Sequence, residues 1–215
     1  MNTAAKAFKP SQIKLILAAE RLFAEHGIDN VPLTEIALAA GQANNAAVHY
    51  HFGSREALVA AISAYRIAEL DRIRAQMLDD LMHQGSEPGL RALIEILFRS
   101  QLAMADERGC HPYAQFMVQY LTRHRPAGTP HASDARNDQT EALHQLLDRI
   151  EAQLPDLPPA LVRRRLEMLN LSYLAMLTRH DQARLSNQPC LLLAMQIQDA
   201  IAMTVAGIQA PLQQT

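Results

Sequence analysis

The sequence has no tryptophan and few other aromatic residues, and its two cysteines, Cys110 and Cys190, lie far apart. Without Cys or His partners at ligand spacing, these cysteines exclude a disulfide-rich fold and a zinc finger. We expect reduced structural thiols, with a redox switch as the alternative. No apolar run is long enough to span a bilayer and no signal-like segment precedes the first predicted helix, so we expect a cytoplasmic protein with no membrane partner.

Strand-like alternation of Val, Ile and Thr is scarce, whereas Leu, Ala and Met are abundant. This pattern predicts an all-α fold. The 215 residues suffice for one or two domains with a sizeable core. Apolar periodicity and helix-breaking residues predict helices over residues 11–26, 54–82, 87–106, 110–124, 133–154, 158–180 and 188–207.

The chain also lacks the excess of positive charge that is common in nucleic-acid binders, since its formal net charge is −2. Bases and acids balance between residues 1 and 58 as well. For binding to nucleic acid, the distribution of charge matters more than its sum. We expect most of these acids to lie at helix positions that would face away from a nucleic acid. Modest nonspecific DNA affinity with a shallow salt dependence follows from this balance.

Residues 33–58 have the pattern of two short helices, a tight turn and the start of a long helix. Leu33, Ile36 and Ala37 follow one apolar helix face, and Thr34 is positioned to cap its first turn. Gly41 is expected to end this helix in the left-handed conformation. A glycine turn between two short helices is the geometry of a helix-turn-helix, whose second helix enters the DNA major groove.

The second short helix and its flanks carry an unusual set of polar residues. Asn44 and Asn45 are predicted to cap it, and His49 and Tyr50 are predicted to face outward toward phosphates or base edges. Ser54 is a predicted N-cap for the long helix, and Arg55 next to it would favour a phosphate at that helix end. The alternative is that these are two core helices of an ordinary bundle.

Residues 11–60 resemble the DNA-binding domain of the tetracycline-repressor (TetR) family of bacterial transcription regulators. The resemblance is carried by Leu15-Ile16, by Ala18 to Gly27 (AAERLFAEHG), by Leu33 to Ala37 (LTEIA), by Ala40-Gly41 and by Tyr50 to Leu58 (YHFGSREAL). Two departures stand out. The segment from Gly41 to Phe52 is one residue longer than in most members, and Arg55 stands where the family commonly has Lys.

The resemblance implies a DNA-binding head over residues 9–60, with the helix-turn-helix at about 34–53, and an effector-binding and dimerisation domain over residues 61–210. It implies a homodimer that binds a palindromic double-stranded DNA operator. The predicted DNA-binding residues are Thr34, Asn44, Asn45, Ala46, His49, Tyr50, Ser54 and Arg55.

The last two predicted helices, at about 158–180 and 188–207, are apolar on more than one stripe. Such helices must bury more than one side. Pairing with their copies in a four-helix dimer interface, as in the family, is the favoured interpretation, and a thick monomeric core is the alternative.

Met and aromatic residues in the middle helices predict an adaptable apolar pocket for an unknown small-molecule effector. The candidates are Phe98, Met104, Tyr113, Phe116, Met117, Tyr120 and Tyr173. Polar candidates to orient the effector are Arg99, His111, Gln115, Gln119, Arg123, His144 and Asn170.

Catalysis has no motif to support it, because the sequence carries no nucleophile elbow, no phosphate-binding glycine loop and no close set of metal ligands. We therefore expect neither an enzyme nor a cofactor or metal site. The favoured prediction is a sequence-specific transcriptional regulator, a repressor released by an effector. A helical sensor or interaction module with weak DNA binding is the alternative, and a helical enzyme is the third.

Overall fold

The computed structural model describes residues 8–44, 46–83, 85, 87–125 and 131–212. Within these residues the structure contains helices and no strands, which confirms the predicted all-α class. The α-helices are α1 (Pro10–His26), α2 (Leu33–Ala39), α3 (Ala47–Phe52), α4 (Arg55–Met82), α5 (Leu90–Leu102), α6 (Pro112–Gln119), α7 (Glu141–Ala152), α8 (Pro159–Leu185) and α9 (Leu193–Ile208). A π-helical turn (Tyr120–His124) follows α6, and a short 3-10 helix (Ala132–Asp134) precedes α7.

Helices α1, α2, α3 and the start of α4 form the head. Their apolar faces meet in one core, in which Phe23, Ile36, Val48 and Leu58 are fully buried. Each helix contributes residues at the spacing of one face, so the periodicity of the sequence accounts for this packing. The head leaves one side of α3 open to solvent.

The remaining helices form the body. Helix α4 continues from the head and packs against α5 and α7, while α6 packs against α8, and α9 covers α5 and α8. The predicted boundary between residues 60 and 61 falls inside α4, and the division of the chain into two domains stays a prediction.

Helix α4 is not the only connection between head and body. Helix α6 also packs directly along α1. The side chains of Gln115 and Gln119 both donate hydrogen bonds to the carbonyl of Ala24, at 2.6 and 2.9 Å. The head is therefore held at two places.

Several predicted helix boundaries differ from the structure. The helix predicted from residue 133 begins at Glu141, because side-chain hydrogen bonds hold the preceding residues in a turn. The Thr140 hydroxyl donates to the Ala135 carbonyl at 2.7 Å and accepts from the Asn137 N–H at 2.9 Å. Such local bonds compete with helical ones. The eighth helix runs on to Leu185, five residues beyond the predicted end.

Candidate functional site

The turn between α2 and α3 has the predicted geometry. Gly41 has a φ of +67°, in the left-handed region that residues with a Cβ rarely adopt. The N–H of Gly41 donates to the Leu38 carbonyl at 2.9 Å, and that of Gln42 to the Ala37 carbonyl at 3.0 Å. These bonds close the end of α2 and redirect the chain toward α3.

Helix α3 is amphipathic over a single turn. Ala47 and Val48 are buried against the head, whereas His49 and Tyr50 are exposed, Tyr50 by 81% of its surface. The Asn44 side chain accepts the N–H of Ala46 at 2.9 Å in the turn before α3. The N-cap of α3 is Ala46, with no side-chain cap, so Asn44 does not cap this helix as predicted. Ala46 is exposed beside it. Asn45 lies outside the described residues.

The start of α4 is capped as predicted, but the carboxylate of Glu56 already lies in its first turn. The Ser54 hydroxyl accepts the N–H of Ala57 at 3.1 Å. Hydrogen bonds from its own backbone N–H and from Ser54 lower the pKa of the exposed Glu56. This negative charge disfavours a phosphate at the same helix end.

Two predicted site residues have a different local role from the expected one. Thr34 does not cap α2, because the helix begins one residue earlier, after Pro32, and has no side-chain cap. Thr34 lies exposed in the first turn instead. Arg55 donates from Nη1 to the Ile28 carbonyl at 2.6 Å, and its guanidinium lies 5.7 Å from the centre of the Phe23 ring. It therefore braces the inside of the head, and its phosphate contact remains a prediction.

Three of the five acids in the head face other parts of the protein. The buried carboxylate of Glu20 accepts from Nε and Nη2 of Arg66 at 2.6 and 2.7 Å. Glu25 pairs with Arg108 at 3.4 Å. Asp29 lies 3.5 Å from His124. Glu20 and Glu25 are thus paired with arginines outside the head, whereas Glu35 and Glu56 remain exposed within it.

A cavity of about 470 Å³ lies in the body between α4, α5, α6, α7 and α8. Of the predicted effector residues, Phe98, Tyr113 and Met117 line it. The other four do not. Phe116 packs toward Phe23 of the head.

The remaining three residues are not among those that line the cavity. Tyr173 stacks on Phe98 and donates its hydroxyl hydrogen to the Phe98 carbonyl at 3.1 Å. Met104 contacts Arg66 through its sulfur. Tyr120 packs against Phe116 and His131. Apolar composition predicted buried positions, but the direction of each side chain depends on how the helices pack.

The cavity wall contains buried polar groups that sequence reasoning largely missed. His144 and Asn170 were among the polar candidates and line the cavity, as do Arg74, Gln101 and His131. Burial lowers the pKa of Arg74, although Asp71 opposes this effect, and burial also lowers the pKa of His131. The sequence did contain a signal that Arg74 is buried, because its spacing places it on the same helix face as the apolar residues Ile67 and Leu70.

Most charged residues at the rim of the cavity are paired. Arg125 lies 3.3 Å from Asp134 and 3.2 Å from Glu167. Arg163 lies 2.5 Å from Glu151. Arg164, which is exposed at the rim, forms no ion pair among the described residues.

Exposed large apolar side chains are concentrated on and beside α8 and α9. Some small residues, such as Ala202 and Ala206, share the exposed side of α9 with them. The large exposed residues in this part of the chain are Met168, Leu185, Leu191, Leu192, Met195, Met203 and Leu212. Surfaces of this kind mark association sites.

In the described parts of the chain, no helix is both long enough and apolar enough to pass through a lipid bilayer. Among the described residues, there is also no cluster of three or more His, Cys, Asp or Glu side chains that could bind a metal ion.

A helix-turn-helix head with an exposed second helix, carried on a helical body with a central cavity, defines a class of DNA-binding regulators. The sequence model described as "Bacterial regulatory proteins, tetR family" matches residues 15–62, which span the head. Residues 15–62 are therefore a DNA-binding domain of the tetR family type, and the chain is a DNA-binding transcriptional regulator. No curated protein matches the sequence significantly.

Solved structures share the fold over nearly the whole chain. The fatty acid degradation regulator FadR from Bacillus halodurans is 17% identical, with a TM-score of 0.58, over 96% of this chain and 100% of that one. A putative tetR family transcription regulator from Shewanella sp. PV-4 is 16% identical, with a TM-score of 0.56, over 91% and 96%. NalD, the secondary repressor of the MexAB-OprM multidrug efflux pump in Pseudomonas aeruginosa, is 19% identical, with a TM-score of 0.51, over 92% and 96%.

Proposed function

We propose that this protein is a homodimeric repressor that binds a palindromic operator and releases it when a small molecule enters the body. The observation that carries the proposal is the outward projection of His49 and Tyr50 from α3, next to the buried Ala47 and Val48. The proposed DNA contacts are those predicted from the sequence, from Thr34 through Asn44, Asn45, Ala46, His49, Tyr50 and Ser54 to Arg55. A repressor is proposed because NalD, which shares the fold, is described as one. Its proposed location is the cytoplasm, where the operator is.

The exposed apolar side of α8 and α9 supports the dimer. Met195 and Met203 are 57% and 61% exposed in the single chain, and they lie on α9 beside small alanines that allow close approach. A twofold axis through this surface would place two copies of α3 on the same side of the assembly. Their separation would set the spacing of the operator half-sites.

Helix α6 supports a route from effector to DNA. Tyr113 and Met117 line the cavity, while Gln115 and Gln119 on the same helix hold the Ala24 carbonyl in the head. A ligand that favours a different position of α6 would therefore change the orientation of the head. Differential affinity for two arrangements is sufficient for induction.

The test measures binding of the full chain to the DNA upstream of its own gene. Fluorescence anisotropy monitors the binding, and a random duplex serves as competitor. We expect specific binding, and we expect His49→Ala and Tyr50→Ala each to weaken it by about 1–3 kcal/mol, the range for one lost base contact. His83→Ala is the matched control, since His83 is exposed at the far end of α4. Unchanged specific affinity in both head variants would show that α3 does not read the operator.

A second candidate function is a helical sensor or interaction module that binds DNA weakly. It is favoured by the Glu56 carboxylate at the start of α4 and by the modest basic charge of the head. The two functions differ in the ratio of specific to random-duplex affinity at fixed salt. A ratio near one would favour the sensor.

A further inference from the structure

Three buried side chains in the body carry a nitrogen without a hydrogen-bond partner, and these are the only such buried side-chain atoms among the described residues. They are Nε of Arg74, Nε2 of His131 and Nε2 of His144, on residues that are 8%, 9% and 5% exposed. All three residues line the same cavity. Buried polar groups are normally paired, so their convergence on one cavity points to a ligand that pairs them.

Arg74 brings a positive charge into this cavity, because a guanidinium stays protonated in proteins. Asp71, one turn earlier on α4, attracts it electrostatically. The Asp71 carboxylate, however, accepts the N–H groups of Ala142 and Leu143 at the start of α7, at 3.1 and 2.8 Å. No acid among the described residues forms an ion pair with Arg74. The charge is thus left for an anion from outside.

His131 presents a second donor. Its Nδ1 accepts the N–H of Ser133 at 3.2 Å, so the neutral ring carries its hydrogen on Nε2. This Nε2–H has no acceptor among the described residues. The 3-10 helix that follows His131 packs on α4, and α7, which carries His144, packs there too. The three groups therefore come from elements that are neighbours in the fold.

The other walls of the cavity are mainly apolar. Leu70, Phe98, Met117, Leu147 and Leu174 face it from five different helices. The acids at the rim, Asp134 and Glu167, are both paired with Arg125. An incoming anion would therefore meet little repulsion at the rim and an unpaired cation inside.

We propose that this cavity binds an organic carboxylate with an apolar body. The carboxylate accepts hydrogen bonds from Arg74 and His131, and the apolar part lies against the leucines, Phe98 and Met117. The role of this ligand as an effector rests on the proposed function. Binding of the carboxylate itself can be measured without DNA.

The experiment uses the full chain and isothermal titration calorimetry with four probes. Two are sodium octanoate and sodium 4-phenylbutyrate, and two are the neutral analogues 1-octanol and 4-phenylbutan-1-ol. We expect the acids to bind roughly a hundredfold more tightly than their alcohols, as for a buried charged hydrogen bond. Equal affinities of acid and alcohol, or no binding of either acid, would overturn the proposal.

Arg74→Met keeps an apolar side chain of similar length and should abolish the preference for the acids. Arg72→Met is the matched control, because it removes an exposed cation from the same helix at a position that does not line this cavity. Without ligand, Arg74→Met should unfold at the same temperature as the wild type or higher, since it removes an uncompensated buried charge. A lower unfolding temperature would show that Arg74 is paired within the fold. A retained preference for acids would show that Arg74 does not bind the carboxylate.

If Arg74→Met does not fold, Arg74→Gln provides the same comparison. Operator binding is measured separately on the same samples. A wild type that binds the operator but neither acid would overturn the carboxylate assignment alone. A wild type that binds the acids but no operator would overturn the proposed function alone.

Discussion

At the scale of single residues, Tyr50 and Arg55 show how differently neighbouring polar groups are used. Tyr50 is 81% exposed on α3. Arg55, five residues later, turns inward to the Ile28 carbonyl and the Phe23 ring. Tyr50 can therefore be altered without loss of a contact to the head core, whereas Arg55 cannot. A DNA-binding experiment on Arg55 must separate the two roles.

Arg55→Ala should destabilise the fold by about 1–3 kcal/mol, because it removes a charged hydrogen bond and a contact between a cation and an aromatic ring. Urea unfolding followed by circular dichroism measures this change. Arg21→Ala, at an exposed position on α1, should stay within about 0.5 kcal/mol of the wild type. Equal stability of the two variants would show that the contact to Ile28 contributes little.

His131 makes stability depend on pH. Its pKa in the folded protein is lowered from 6.5 by burial, so below that pH the unfolded chain binds more protons than the folded one. Stability is therefore full above pH 6.5 and is lost as the pH falls through the folded pKa, at up to about 1.4 kcal/mol per pH unit.

His131→Gln should flatten this dependence in urea titrations between pH 7.5 and 5.0. His83→Gln, at an exposed histidine, should leave the slope of the wild type unchanged. If the slope of His131→Gln matched that of the wild type, the protonation would belong to another group.

At the scale of helices, α6 and the π-helical turn after it connect the cavity to the head. The N–H of Arg125 donates to the Tyr120 carbonyl at 2.8 Å, five residues back, and Leu121 within this turn lines the cavity. Such π-helical turns are rare and often occur at functional sites. The same segment reaches the head through Gln119 and through His124 beside Asp29.

The double variant Gln115→Met with Gln119→Met removes both donors to the Ala24 carbonyl and should loosen the head on the body. We expect it to tolerate a change of one base pair in operator spacing better than the wild type does, because α3 is then less firmly positioned. Competition binding to operators of altered spacing measures this tolerance. Gln76→Met, at an exposed glutamine on α4, serves as the control. Identical spacing preferences would mean that α4 alone positions the head.

At the scale of the whole molecule, the exposed apolar side of α8 and α9 determines the assembly we propose. Met195→Glu with Met203→Glu should convert a dimer to a monomer, since each copy would bring two charges into an apolar contact surface. Light scattering coupled to size-exclusion chromatography gives the mass. Met82→Glu, at the partly exposed end of α4, is the matched control and should remain dimeric.

Loss of the dimer should also weaken operator binding by roughly a hundredfold or more, because two linked heads benefit from a high effective concentration. A double variant that remains dimeric would place the interface on another surface.

The sequence determined the features that depend on neighbouring residues. Gly41 adopts its left-handed φ, Ser54 caps the helix that follows it, and Ala47 and Val48 form the inner face of α3, as their types and spacing predict. Local backbone geometry and helix periodicity are enough to decide these.

Only the tertiary structure decided which distant side chains meet. Glu20 finds Arg66 across 46 positions, and Arg74, His131 and His144 come together from three separate elements. The packing of helices sets these contacts, and packing depends on the shapes of whole surfaces, not on the spacing within one helix. For that reason Phe98 and Tyr173 are both buried and stack on each other, but only Phe98 lines the cavity.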